Sequence, residues 1–343
     1  MSETYFYLVG RSSCSRGGIY RFRENNGVME QCSFAPLQEC NWITRSPNGK
    51  YLYATTRNSM EDQGCAAFRI LENGDLEFLN YVSSEGQAPC YTVVSPDGKF
   101  LYCANYSSGS FMEFQLESDG RISDRKKLIR HEGSGPNKPR QDGPHTHFAG
   151  FTPDQNDLII IDLGIDALKL YPRGAEGIRE SEVKTFSVPA GSGPRHLVFN
   201  GAGSRAYLIN ELGNTVMTLS YSNGEFALLD TVSTLPDDYT GPTKAAAIRL
   251  SPDEKYLYAS NRGYETIACY ELDPGTGYPV FKAFAASGGV GPRDINYLPG
   301  YRKFAAANEF SDVVVFYDVD SASGMLKPDG NLVQIPGPLA IYW

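Results

Sequence analysis

The chain has 343 residues, 41% of them apolar, and a formal charge of −9. This supports a sizeable core, in two ordinary domains or one large repeat architecture. A net negative chain with scattered Lys and Arg is a poor partner for nucleic acid or an anionic membrane, yet a few local arginines can hold a small anionic substrate.

The N-terminus, Met1-Ser-Glu-Thr-Tyr-Phe-Tyr-Leu-Val, runs at once into a strand pattern. It lacks a basic n-region and a small-residue cleavage site, and no run of about 18 apolar residues follows, so the sequence reads as cytoplasmic, without a membrane span. The seven cysteines are odd in number and form no CxxC; Cys90 and Cys103 sit in apolar strand patterns and are expected to be buried reduced thiols. Four histidines without metal-ligand spacing predict neither a zinc site nor a metal cofactor, and no organic cofactor is called for.

Along the chain one unit recurs. Registered on a shared apolar position, YFYLVG (Phe6), YLYATT (Leu52), FLYCAN (Leu101), LIIID (Leu158), AYLIN (Ala206), YLYASN (Leu257) and FAAAN (Phe304) follow at spacings of 46, 49, 57, 48, 51 and 47. Turns of the type Ser-Pro-Asp/Asn-Gly precede many of these strands (Ser46, Ser95, Thr152, Ser251) because proline presets φ and Asp, Asn and Gly tolerate the turn. Further turns at Asn73-Gly74, Asp119-Gly120, Asn223-Gly224, Asp273-Pro-Gly and Ser323-Gly324 divide each unit into about four short strands. Four-stranded repeats of this length predict an all-β, seven-bladed β-propeller, forming a single domain over residues 1–343. The first unit lacks a leading strand, and the C-terminal Gly337-Pro-Leu-Ala-Ile-Tyr-Trp343 is expected to supply it. The 57-residue spacing holds a Gly/Pro-rich insertion, His131–Pro144, that reads as a tolerated surface loop or as a site wall.

In a propeller the inner strand starts at the face where the second strand ends. The inner-strand position holds Asn41, Cys90, His147, Arg195, Ala246, Arg293 and Leu339. The second strands end in Thr56-Arg57, Asn105-Tyr106, Asp162-Leu163, Asn210-Glu211, Asn261-Arg262 and Asn308-Glu309. These residues are expected to meet at one opening. An imidazole is the side chain suited to take a proton from water near neutral pH, which makes His147 a candidate base. Arg195 and Arg293 each follow Gly-Pro, which stiffens their approach, and guanidiniums suit a carboxylate or phosphate. Ion pairing between blades, with Glu211 or Asp294 as partner, is the competing structural reading. Lys244 adds charge at the rim. His145 and His196 alternate with the inward positions and read as packing or support, though His145 also borders the site. The recurring Asn105, Asn210, Asn261 and Asn308 read mostly as turn residues, and Asp162 and Asp166 as blade-to-blade links.

Six segments carry a resemblance: Gln141-Asp-Gly-Pro-His-Thr-His147, Asp162-Leu-Gly-Ile-Asp166, Gly193-Pro-Arg-His196, Asn210-Glu211, Ser260-Asn-Arg262 and Gly291-Pro-Arg-Asp294. In this order they resemble the cycloisomerase 2, or lactonase, family of seven-bladed propellers, which includes the propeller-type 6-phosphogluconolactonase and the 3-carboxy-cis,cis-muconate lactonizing enzyme. The resemblance implies a catalytic set of His147, Arg195, Glu211 and Arg262, and Arg293 resembles the phosphogluconolactonase members; Arg293, Lys244, His145 and Asn261 are the candidate substrate contacts. It implies a hydrolase acting on a sugar lactone, foremost 6-phosphogluconolactone, with a cycloisomerase or a non-catalytic ligand- or protein-binding propeller as alternatives. The expected partner is a small anionic lactone or sugar acid, and the expected state a monomer or weak homodimer. The chain departs from the family in Ala245-Ala246-Ala247-Ile248, where an acid usually follows the alanines, and in Asn41-Trp42 and Arg57 of the early blade.

Overall fold

The computed structural model describes residues 5–57, 59, 62–300 and 302–343. Met1–Thr4, on which the expectation of no leader partly rests, lie outside them. Among the described residues the strands form seven sheets in chain order. Each is an antiparallel blade of four strands; blade 4 carries a further two-residue strand, Gly177–Ile178. No α-helix occurs among the described residues, and a 3-10 turn spans Glu180–Glu182.

The inner and second strands are Ile43–Arg45 and Tyr51–Arg57 in blade 2, Pro89–Val94 and Phe100–Asn105 in blade 3, and Thr146–Phe151 and Asp157–Asp162 in blade 4. They are Pro194–Phe199 and Arg205–Asn210 in blade 5, Lys244–Leu250 and Tyr256–Arg262 in blade 6, and Pro292–Tyr297 and Lys303–Asn308 in blade 7. Blade 1 takes its inner strand from the C-terminus: Pro338–Tyr342 pairs with Tyr5–Gly10, Tyr7 facing Tyr342 and Val9 facing Ala340. That is the closure expected from the sequence.

The chain divides into two compact units. One, the C-proximal unit, holds the described residues up to Gly10, Tyr20–Cys32 and His196–Trp343; the other, the N-proximal unit, holds Arg11–Ile19 and Ser33–Arg195. Within each, cores form where consecutive blades stack. Tyr53, Cys65, Leu101, Cys103, Met112 and Phe114 fill the space between blades 2 and 3. Tyr258, Cys269, Ile295, Phe304 and Tyr317 do so between blades 6 and 7. Second strands are apolar on both faces because each face meets a neighbouring sheet, so strand alternation is replaced by continuous runs. Burial pushes the Cys103 thiol well above its ordinary range, as expected of an inert core cysteine; the described cysteines are all free.

A latch repeats at the loop after each of several second strands. Asp166, Asn214, Glu265 and Asp312 all have positive φ, between 49° and 55°. Their side chains accept backbone N–H groups approaching the next inner strand: Gly191 and Gly193 donate to Asp166, Ala245 to Asn214, Gly291 to Glu265 and Gly337 to Asp312. Their carbonyls accept as well, from Val188, Thr234, Ser287 and Ile335. Asp166 thus is the blade-to-blade link expected of it. The Ser-Pro-Asp/Asn turns repeat too, with Ser46, Ser95, Thr152 and Ser251 each donating a side-chain hydrogen bond two residues ahead.

Candidate active site

In blades 1, 3, 4, 6 and 7 the inner-strand position picked out by the repeat coincides with a β-bulge or register irregularity. Pro89 faces Asn105 and Tyr91 faces Ala104, leaving Cys90 as the extra residue. Thr146 and Phe148 face Asp162 and Ile161, leaving His147. Arg293 is extra between Pro292 and Asp294, Leu339 is extra against Val9 and Gly10, and Ala246-Ala247 fall in the irregular step of blade 6. A bulge turns one side chain out of the alternating pattern and away from both sheet faces. In these blades the recurrent position is therefore a backbone device for aiming one side chain.

In the N-proximal unit this device presents His147. The residue is buried, and its imidazole meets the ring of Tyr106 edge-on, 5.6 Å between centroids. His145 stacks on the same ring at 4.6 Å, its Nδ1 lies 3.0 Å from the Tyr106 carbonyl, and its Nε2 lies 3.2 Å from Asp142. Arg140, from the insertion, donates to the Tyr106 hydroxyl at 3.1 Å. Tyr106 thus joins His147, His145 and the insertion. The insertion itself is anchored by the buried Gln141, whose Nε2 donates to the Leu163 carbonyl at 2.9 Å. Close backbone approach is needed here: a Cβ on Gly164 would stand 2.0 Å from the Gly143 carbonyl and 2.7 Å from the His145 nitrogen. Arg195, at the end of this unit, is among the largest fully buried side chains. A guanidinium so enclosed is retained only with paired acceptors.

In the C-proximal unit charge dominates. Arg262 Nη2 lies 2.8 Å from Glu211 Oε2, with side chains 11% and 4% exposed, and it donates to the Ala245 carbonyl at 3.2 Å. Arg262 Nε is buried and makes no hydrogen bond to the described residues. Arg293 Nη1 lies 3.3 Å from Glu309 Oε2. Asp294 pairs with Arg249 at 2.8 Å and accepts the Ile341 N–H at 2.9 Å. Lys244 is exposed and faces Arg262 across the strand pair.

Residues 6–343 match the family description "Lactonase, 7-bladed beta-propeller". The chain belongs to the lactonase family of seven-bladed β-propellers. This lactonase-family chain is 33% identical over 330 residues to a 6-phosphogluconolactonase of Bacillus subtilis, covering 94% of this chain and 93% of that one. Among solved structures it is similar to a Bacteroides fragilis protein described as a candidate 6-phosphogluconolactonase, with TM-score 0.92, 32% identity and 99% and 97% coverage. It is also similar to the periplasmic gluconolactonase PpgL of Pseudomonas aeruginosa, with TM-score 0.90, 27% identity and 98% coverage of each chain.

The structure brings several of the predicted residues of this family member into defined contacts. It joins Glu211 to Arg262, and places His145 beside His147 through Tyr106. Ion pairs join neighbouring blades at Glu211–Arg262 and Asp294–Arg249, while Arg293 pairs with Glu309 within blade 7. Asn261 Nδ2 donates to the Thr234 carbonyl at 2.6 Å. The reading of the recurrent asparagines as turn residues needs correction. Asn105, Asn210, Asn261 and Asn308 end their strands without positive φ and are fully buried, and those of blades 6 and 7 tie down the previous blade's outer loop. Positive φ falls four residues later, at the latch.

Glu309 and Tyr106 are among the strand-end residues expected at the opening, but their contacts with Arg293 and His147 were not foreseen. Both occupy the repeat position of Glu211, directly after the strand-end residue, and that shared offset was the available signal. Among the described residues no group of three or more His, Cys, Asp or Glu is gathered as a metal site, and no helix is long and apolar enough to cross a membrane.

Proposed function

We propose that this lactonase-family chain hydrolyses 6-phosphogluconolactone to 6-phosphogluconate. The name of the Bacillus relative supports the substrate. The observation that carries the chemistry is Arg262: a nearly buried guanidinium held by Glu211 and the Ala245 carbonyl, with its Nε donor left over. A buried donor without an acceptor among the described residues, on a preoriented cation, suits an oxygen on which negative charge develops.

In this reading His147 takes a proton from water, and the oxygen attacks the lactone carbonyl. A tetrahedral oxyanion forms and is stabilised by guanidinium donors, Arg262 foremost and Arg195 with it. The ring C–O bond then breaks, and the imidazolium returns its proton to the departing alkoxide, leaving a carboxylic acid that ionises in water. Glu211 acts by fixing Arg262. Arg293, more exposed and restrained by Glu309, with Lys244, would meet the phosphate. His145 supports the Tyr106 ring. The mechanism calls on no metal or organic cofactor, and its partner is a small anionic lactone in a cytoplasmic, single-domain protein.

The test is a coupled assay on freshly made 6-phosphogluconolactone and, in parallel, on unphosphorylated gluconolactone, each against spontaneous hydrolysis. Acceleration of the first with a clear preference over the second is expected. Preference for the unphosphorylated lactone overturns the substrate assignment. Turnover of a muconate in place of either lactone assigns the chain to the cycloisomerase side of the family.

A further inference from the structure

We propose that His131 is a positioning residue for His147, acting through Asp162; this rests on the reading of His147 as the base. Two departures from the repeat occur next to the bulge of blade 4, and they bond to each other. The first is the insertion, which opens with His131. The second is Asp162, at the strand-end position where blades 3, 5, 6 and 7 carry asparagine.

His131 Nδ1 lies 2.7 Å from Asp162 Oδ2, and both side chains are fully enclosed. His131 Nε2 lies 3.0 Å from the Tyr171 hydroxyl, and the ring packs against Phe111 and Tyr171. A carboxylate facing Nδ1 fixes an N–H there, donated to Asp162, and the Tyr171 hydroxyl can donate to or accept from Nε2. The other carboxylate oxygen accepts the backbone N–H of His145 at 2.7 Å and that of Gly164 at 2.9 Å. An enclosed carboxylate is tolerable only with such a set of donors.

The consequence falls on the residue two positions further on. The backbone entering the bulge is held at His145 by Asp162. At Thr146 it is held by a hydroxyl that donates to the Ser110 carbonyl at 2.6 Å. His147 is then the unpaired residue between Thr146 and Phe148. Its direction depends on how its two predecessors are pinned. Taking the imidazole from His131 removes one donor from an enclosed charge. Asp162 is then free to turn, and its hold on the His145 N–H weakens. An asparagine at 131 can restore a donor toward Asp162 from a similar place.

The experiment compares His131→Ala with His131→Asn by two readouts. One is the two-dimensional imidazole spectrum. The chain has only four histidines, and the His147 signals are assigned by their loss in His147→Gln. The other is lactone hydrolysis. His131→Ala should shift the His147 ring signals and lower kcat about tenfold or more with KM within about twofold, and His131→Asn should restore most of both. A folded His131→Ala with unchanged His147 signals overturns the proposal, as does an asparagine variant no better than alanine. If His131→Ala fails to fold, Asp162→Asn takes its place, and unchanged His147 signals in that variant again overturn it. If the wild-type protein hydrolyses no lactone, the functional reading falls, while the ring signals still decide the positioning role.

Discussion

The inner strands of blades 4 and 6 make the same kind of backbone irregularity and carry different side chains in it. In blade 4 the extra residue is His147, enclosed by Tyr106 and pinned through Asp162. In blade 6 the irregular step holds Ala246 and Ala247, and the Ala247 N–H is satisfied by the Ser260 hydroxyl at 3.0 Å. The charge of blade 6 comes from its strand end, where Arg262 is clamped by Glu211. The bulge is a property of the repeat, independent of what it displays. Chemistry is added by single residues on top of it. Bulge residues should therefore be replaceable with loss of activity and little loss of stability. The clamped pairs and latches should behave differently, because their removal leaves buried groups unsatisfied.

The sharpest contrast is at Arg262. Arg262→Ala is expected to cut kcat on the order of 10²–10³-fold. It should also cost about 3 kcal/mol of stability, because the buried Glu211 carboxylate loses its ion pair with Arg262. Steady-state kinetics and urea unfolding check the two effects separately; loss of activity with unchanged stability would make the Glu211 pair dispensable to the fold.

Next in size is the latch. Asp166→Ala orphans two N–H donors and should cost about 2 kcal/mol, whereas Asp312→Ala orphans one, on a more exposed loop, and should cost about 1 kcal/mol or less. Equal shifts in the urea midpoint would break the argument that latches act through donor count. Neither change should move KM.

The smallest effect is a dependence on pH. Burial raises the Glu113 carboxyl above its ordinary value, outweighing the hydrogen bond from the Ile178 N–H at 2.8 Å. The folded state thus binds this proton more tightly than the unfolded chain. Its contribution favours folding at low pH and turns unfavourable as pH rises from the ordinary carboxylate range through the raised value. Glu113→Gln, which keeps an acceptor for Ile178, should gain stability relative to wild type as pH rises through that window. A stability difference that stays flat with pH would contradict the burial argument.

Much of the fold was legible in the sequence because a propeller repeats its solution. Spacing located seven second strands, and the missing first strand pointed to the C-terminus. Registering one apolar position placed Cys90, His147, Arg293 and Leu339 on their bulges without any knowledge of bulges. The site was legible only where it reused repeat positions. Arg262 and Glu211 were readable as strand-end neighbours, but their mutual pairing was not, since it depends on side-chain reach across 51 residues. Glu309 as the partner of Arg293, Tyr106 as a platform for two imidazoles, and His131 against Asp162 were hidden for the same reason. The buried asparagines were misread because a residue that ends strands well in sequence statistics here serves as a donor between blades. The unusual backbone angle belongs to the latch four residues on.

The most direct test is the rate at which His147→Ala hydrolyses fresh 6-phosphogluconolactone, read beside its unfolding curve. The account predicts a kcat lower by about 10²-fold or more with an unfolding midpoint close to wild type. A variant that turns over the lactone at the wild-type rate, or that loses activity only because it unfolds, would contradict it.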